Sequence, residues 1–328
     1  MSISVITTGG TITQVLGARE LRHLGGAELV AGLPQDGGAM PAVEVEDLMD
    51  MPSTHIGPEE MVRVADAVRR HAARSDVDGV VVTHGTATIE ETVYFVDLVV
   101  NAAKPVVFTG AQRFPGSAGY DGHRNLRDAI VVAGSSEVAG AGTVLVFVGE
   151  IHAAREVSET HPSATAGFQS LDSGPIGRVD LDRVVVTRTP RRDTAAYQVH
   201  PPLARVDLLT CYAGMTGDVV GAVADLGAAG LIVQGMTSGG IPPALVAALR
   251  DAMERGAVVA LTTRCPSGRV IRRSGELYDG VAGYGTDLER LGIALTDLPG
   301  LKARCRLIVL LSSGLDREAA HRLMDTAA

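Results

Sequence analysis

The chain predicts an α/β fold with a largely parallel sheet, divided between two domains, and three observations carry that expectation. Short apolar, β-branched runs alternate with helix-period segments from the first residues to beyond Leu310. At 328 residues the chain outgrows a single hydrophobic core, so two cores are expected. Residues 187–202 interrupt the alternation with three prolines, several charges and little apolar periodicity, the composition of an interdomain linker. The expected division is an N-terminal domain over 1–188, a linker over 189–204 and a C-terminal α/β domain over 205–328.

In chain order, Ile3-Ser4-Val5-Ile6 reads as the first strand, and residues 61–73 carry the apolar spacing of a helix. Gly79-Val80-Val81-Val82 is short, apolar and β-branched, as a buried parallel strand must be. Thr88-Ile89-Glu90-Glu91 fits the capping box that opens a helix, and Ile89, Val93, Val96 and Val100 then form one apolar face toward the sheet. Further strands are expected at Val144-Leu145-Val146-Phe147-Val148, Val206-Asp207-Leu208-Leu209, Leu231-Ile232-Val233, Val258-Val259-Ala260-Leu261 and Leu307-Ile308-Val309-Leu310. Helices are expected over 245–255 and 317–324.

Composition narrows the function. A formal net charge of -9 with no basic stripe to offset it argues against a nucleic-acid partner. The pairs Arg69-Arg70 and Arg191-Arg192 read as solvated faces. With 39 glycines and no tryptophan, close packing of small and branched residues must build the cores. Cys211, Cys265 and Cys305 are widely spaced and odd in number, which suits buried thiols in a reducing compartment and neither a disulfide framework nor a zinc site. No cluster of ligand-type residues implies a metal or an organic cofactor. The first residues form a strand directly, without a basic segment and long apolar run, and no stretch approaches membrane-spanning length. Cytoplasm is the expected compartment.

Two loops carry the chemistry. After the first strand comes Thr7-Thr8-Gly9-Gly10-Thr11-Ile12, where paired glycines let backbone approach a ligand and the Thr11 hydroxyl is a nucleophile if a neighbour removes its proton. The run lacks both the dinucleotide glycine spacing and the Gly-Lys-Ser/Thr ending of a phosphate loop. After the strand at Gly79 comes Thr83-His84-Gly85-Thr86-Ala87-Thr88, which the following helix aims into the crevice at the strand's carboxyl end. Taken alone, Thr86 and Thr88 also fit a plain turn and a helix cap.

Five motifs in order and spacing carry a resemblance. They are Thr8-Gly9-Gly10-Thr11-Ile12, Asp78-Gly79-Val80-Val81-Val82-Thr83-His84-Gly85-Thr86, Glu90-Glu91-Thr92, Lys104-Pro105-Val106-Val107-Phe108-Thr109-Gly110-Ala111, and Asp121-Gly122 with Asn125-Leu126. Together they resemble the bacterial two-domain L-asparaginase and glutaminase family of threonine amidohydrolases. The resemblance implies a larger N-terminal parallel-sheet domain and a smaller flavodoxin-like C-terminal α/β domain. It implies that Thr11 attacks the substrate's amide carbon and that Thr86 assists, by positioning water or sharing the nucleophilic work. Gly10 and Gly85 lie in the matching glycine loops, Ser53 and Thr54 match the pair that holds the α-carboxylate, and Ala111 matches a backbone contact near the departing amide. Ser53 and Thr54 equally fit an ordinary polar turn before the helix at Pro58. The family's assembly implies a homo-oligomer, a dimer or a dimer of dimers, with sites shared between subunits.

Departures from the family pattern are as informative as the matches. The family places an aspartate after the second threonine to gather the substrate's α-ammonium and pair with a catalytic lysine. Here that position is Ala87, whose methyl group accepts no hydrogen bond and balances no charge. Aligning Arg155-Glu156-Val157-Ser158-Glu159-Thr160 puts Glu159 at the lysine position, so both partners are exchanged. A lysine left without its acid would be an uncompensated charge, which makes the joint change coherent. The family's lid tyrosine is also missing, since the first tyrosine is Tyr94, and the lid over 13–27 holds Arg19, Arg22 and His23. His23 is either a proton acceptor or a solvated loop histidine. Glu276 lies within one residue of the acid that the family lends to a neighbouring subunit, while its flanking arginines suit a surface ion pair equally. The loop from Gly235 to Gly240 offers Thr237 and Ser238 where the family supplies an asparagine.

The expectation is thus an asparaginase-like amidohydrolase with a threonine nucleophile, acting on a small carboxamide or related acyl bond and not on ordinary L-asparagine at high rate. Glu159 is a candidate general base if burial raises its pKa. The alternative is a catalytically silent ligand-binding or regulatory protein on the same fold.

Overall fold

In a computed structural model, residues 1–16, 21–34, 40–193, 195–271 and 286–326 are described. They divide into two compact units, Met1–Ala196 and Tyr197–Ala328. No helix or strand occurs between Val186 and Val206 among the described residues.

The first unit contains β1 (Ser2–Thr7), β2 (Gln14–Leu16), β3 (Leu21–His23), α1 (Gly26–Ala31), β4 (Ala42–Asp47), α2 (Pro58–Ala72), β5 (Gly79–Thr83), α3 (Thr86–Val99), β6 (Val106–Thr109) and α4 (Gly122–Ala133). It continues through β7 (Thr143–Phe147), β8 (Glu150–Ala153), β9 (Ser158–Glu159), β10 (Phe168–Gln169), β11 (Gly177–Asp180) and β12 (Arg183–Val186). Its main sheet has eight strands in the order β12-β11-β8-β7-β6-β5-β1-β4. From β4 to β7 the pairing is parallel, with Val5 opposite both Val45 and Val81. β5 is buried along its whole length, and β1 beyond its first residue, as strands covered on both faces must be. Helix α4 approaches β5 so closely that a Cβ on Gly79 would stand 2.0 Å from the Ala133 carbonyl oxygen. From β1 the chain reaches β4 on one side, then crosses through α2 to β5 on the other. That reversal opens a crevice at the carboxyl ends of β1 and β5.

The sheet is parallel except at one edge, where β8, β11 and β12 are antiparallel. The cause is a two-residue hairpin. Val148 and Gly149, at φ 48° and 76°, turn the chain back so that Phe147 faces Glu150. Valine is an unusual residue at positive φ, so this turn has no signature in the sequence.

The second unit contains β13 (Val206–Thr210), α5 (Asp218–Asp225), β14 (Gly230–Gly235), α6 (Pro243–Glu254), β15 (Val258–Thr263), α7 (Thr286–Leu291), β16 (Ala294–Leu295), α8 (Gly300–Ser312) and α9 (Arg317–Met324). Its four-stranded sheet, β13-β14-β15-β16, is parallel throughout. Leu307-Ile308-Val309-Leu310, expected as a strand, lies within α8. All four are buried, and a helix surrounded by protein shows no polar face from which its period could be read. Among the described residues no helix is long and apolar enough to cross a membrane.

Three further expectations are corrected. Helix α3 opens at Thr86 behind an N-cap glycine, so Thr88 is inside its first turn and donates its hydroxyl hydrogen to the Ser53 carbonyl. Arg192 is not a solvated face, because its guanidinium lies 3.7 Å from the buried Asp97 carboxylate. Cys211 and Cys305 are buried, but Cys265 is exposed.

Candidate active site

The loops after β1, β4, β5 and β6 meet at the carboxyl end of the parallel strands. Thr8 ties the first to the third, its backbone N–H and its hydroxyl both donating to the Thr83 carbonyl at 3.1 and 3.0 Å. Gly9 and Gly10 follow at φ 90° and 85°, conformations that disfavour any side chain. They are also crowded. A Cβ on Gly10 would stand 2.4 Å from the Gly85 Cα, and one on Gly85 would stand 2.5 Å from the Ser53 hydroxyl oxygen. The first and third loops therefore touch backbone to backbone, with the Ser53 side chain packed against Gly85, and Thr11 and Thr86 each follow one of the glycines in contact.

Thr11 opens a short turn, Thr11–Thr13, and is half-buried. The turn is fixed from two sides: the Thr13 hydroxyl donates to the Gly10 carbonyl at 2.9 Å, and the Tyr120 hydroxyl donates to the Ile12 carbonyl at 2.9 Å. Thr86 is half-buried at the start of α3, where the helix's first N–H groups have no intrahelical partners. Ser53 is buried at the head of its own turn, while Thr54 beside it is exposed. Ala87 is exposed, and the first turn of α3 carries no acid.

Ala111, buried, follows β6 and begins a second cluster. Asn125 donates to the Gly110 carbonyl and to Asp121, and Asp121 accepts the backbone N–H groups of Gln112 and Arg113 at 3.0 Å each. The loop so held presents Gln112, whose amide donates to the Glu159 carboxylate at 2.8 Å. The Glu159 backbone N–H donates to Glu90 at 3.1 Å, on the helix turn that follows Ala87. Burial raises the Glu159 pKa above its ordinary value. Donation from Gln112 opposes the rise, and the nearby Glu90 charge reinforces it. A Cβ on Gly110 would stand 2.4 Å from the His84 carbonyl oxygen, so the two clusters adjoin.

The other candidates scatter. His23 is held by Asp50, its Nδ1 2.6 Å from the carboxylate, and the same Asp50 lies against Gly9. His55 is exposed. Glu276 and Arg19 lie outside the described residues. Thr237, at φ 48°, sits in a tight turn closed by a bridge between Met236 and Gly240. Sequence reasoning missed the roles of Gln112 and Glu90 around Glu159, and of Tyr120 against the Thr11 turn. A phenol thus does reach the first loop, from a segment that no lid pattern would single out. Among the described residues no group of three or more His, Cys, Asp or Glu side chains is placed to hold a metal ion.

His84 lies beneath these loops, fully buried. Its Nδ1–H donates to the Gly85 carbonyl at 2.8 Å, and Nε2 has no hydrogen-bond partner among the described residues. Burial holds its pKa down to about 4 against an ordinary 6.5. The unfolded chain therefore binds more protons between those values. Stability is complete above about pH 6.5 and falls as pH drops toward 4, by on the order of 3 kcal/mol for this residue. Urea midpoints across that range should decline, and His84→Asn should flatten the decline. His152, whose pKa is also lowered to about 4, leaves a residue of the same sign.

Fold and loops together define a two-domain α/β protein with a hydroxyl-rich site at its strand ends. The family model described as "Asparaginase, N-terminal" matches residues 2–192, and "Glutaminase/Asparaginase C-terminal domain" matches 205–324. This chain belongs to the asparaginase family. It is 36% identical to an L-asparaginase of Bacillus licheniformis, over 95% of each chain. It is 34% identical to a probable L-asparaginase of Deinococcus radiodurans, over 88% of this chain and 89% of the other. A glutaminase-asparaginase of Pseudomonas fluorescens biotype A is 29% identical, over 98% of this chain and 89% of its own.

Proposed function

We propose that this chain is an amidohydrolase in which Thr11 is the nucleophile, with a substrate that need not carry the free α-amino carboxylate of asparagine. The observation that carries this reading is the backbone contact of Gly10 with Gly85, which sets two half-buried threonines at the ends of adjacent strands. In the proposed reaction the Thr11 oxygen bonds to the carbonyl carbon as its proton passes to a base. Backbone N–H groups of the two loops and of the α3 start stabilise the oxyanion. The C–N bond breaks as its nitrogen takes up a proton and leaves, and water then cleaves the acyl ester to release the acid and restore Thr11. Glu159 is the proposed base, and its raised pKa suits a proton acceptor working nearer neutrality. Gly10, Ser53, Thr54, Gly85, Ala87, Ala111 and Glu276 are proposed to contact substrate.

Ala87 bears on the substrate class. Without a carboxylate at that position an α-ammonium group lacks a charged hydrogen-bond partner, a loss of about 1.5–3 kcal/mol or roughly ten- to a hundredfold in rate. Ammonia release should be measured across asparagine, glutamine, N-acylated amino-acid amides and simple carboxamides. Turnover should be highest for a substrate without a free α-ammonium. Asparagine hydrolysis at about 10 per second, an ordinary enzyme rate, would overturn this specificity. Uniform silence with ligand binding retained would establish the regulatory alternative.

A dimer or dimer of dimers with intersubunit sites is also proposed, on the family's pattern. Sedimentation velocity at micromolar concentration should give a dimer or larger, and a monomer would contradict shared sites.

A further inference from the structure

Glu159 is tied to α3, to β10 and to the loop after β6, and the ties leave one of its carboxylate oxygens uncommitted. Its backbone N–H donates to Glu90 on α3 at 3.1 Å, and β9 pairs with β10 so that Phe168 stands opposite it. Thr160, the next residue, donates its N–H and its hydroxyl to the Gly167 carbonyl at 2.7 and 2.9 Å. Oε1 accepts from the Gln112 amide at 2.8 Å, while Oε2 has no hydrogen-bond partner among the described residues.

Gln112 is itself built in. Its backbone N–H donates to Asp121 at the head of α4, and Asp121 also accepts from the Asn125 side chain at 3.0 Å. Asn125 is fully buried, gives its other amide hydrogen to the Gly110 carbonyl, and accepts the Val148 N–H at 2.9 Å. A buried amide with every hydrogen bond made is rigid, so the chain at Gln112 starts from a fixed point.

The residue type matters as much as its place. Only the NH2 end of an amide can face a carboxylate, which sets the orientation of Gln112. Burial and the Glu90 charge, which faces Glu159 from α3, push the carboxyl toward its protonated form, and donation from Gln112 opposes them. A guanidinium or an ammonium in that place would bind the carboxylate as an ion pair and weaken it as a base. A hydrocarbon would leave burial and Glu90 unopposed. A neutral donor keeps the oxygens charged without neutralising them.

We propose that Gln112 is a positioning residue for Glu159, its amide holding Oε1 so that Oε2 is the oxygen that accepts the proton. The inference rests on the hydrolytic reading, in which Glu159 is the base.

Carboxyl-carbon NMR on the full chain with isotopically labelled glutamate follows the titration of Glu159, with Glu159→Gln to assign its resonance. In Gln112→Met, which keeps the length and removes the donor, the midpoint should move to higher pH, a proton affinity at least about threefold above the parent's. Gln112→Lys should move it at least about threefold the other way. Turnover is measured with whichever of asparagine, glutamine, N-acylated amino-acid amides and simple carboxamides the parent hydrolyses fastest. The acidic limb of kcat/KM should follow both shifts, because a base works only when deprotonated. On the plateau Gln112→Met should lower kcat at least about tenfold and change KM less than about twofold, the mark of an orienting contact rather than a binding one. A parent-like midpoint in Gln112→Met, or a shifted midpoint with parent-like kcat and pH limb, would overturn the proposal. Parent-like turnover in Glu159→Gln would instead remove Glu159 as base and overturn that part of the hydrolytic reading. Thermal melts establish that each variant is folded, and Gln112→Lys, whose shift is opposite in sign, keeps the test decisive should Gln112→Met fail to fold.

Discussion

Thr11→Ala should lower turnover of the preferred amide by about a thousandfold or more, while Thr11→Ser retains a measurable part of it. The side chain is half-buried, and among the described residues its hydroxyl makes no hydrogen bond that the fold relies on. The turn it opens is held by the Thr13 and Tyr120 hydroxyls instead. The loss should therefore appear in kcat with the melting temperature close to the parent's. Parent-like turnover in Thr11→Ala would remove it as nucleophile. A substantial fall in stability with little change in rate would reduce it to a loop residue. Tyr120→Phe is a useful companion, because it frees the Ile12 carbonyl and loosens the turn without removing the proposed nucleophile.

Much of this arrangement is legible in the chain because its signals are local. Val80, Val81 and Val82 can only form a strand covered on both faces, and Gly9-Gly10 before a threonine announces a close backbone approach. Helices α2, α6 and α9 follow from their apolar spacing. What escaped notice depends on distant partners. Helix α8 lost its period because Leu307 to Leu310 are all buried, and the antiparallel edge turns on a valine at positive φ. The surroundings of Glu159 escaped for the same reason, since Gln112 and Glu90 are 47 and 69 residues away in sequence. No spacing rule reaches that far. Only β9, held beside α3 by the Glu159–Glu90 contact, assembles that cluster.

The proposed exchange at Ala87 and Glu159 has an exacting test. Ala87→Asp should fold, because an acid in the first turn of α3 meets unpaired N–H groups and the positive end of the helix dipole. It should nevertheless fail to restore asparagine hydrolysis. Its carboxylate would share the helix face with Glu90, three residues on, close to where Glu159 is already raised in pKa by burial and by the Glu90 charge. Glu159→Lys alone loses the acceptor of the Gln112 amide and brings an ammonium to Glu90, with no acid at position 87 to orient it toward substrate. Each single change should alter asparagine turnover by less than about threefold. Together they create the opposite-charge pair, and the double variant should exceed either single by at least about tenfold, a coupling of about 1.4 kcal/mol. Additive effects in that cycle would mean that Ala87 and Glu159 do not share a site. The search for the base would then move to His23, whose partner Asp50 lies against Gly9.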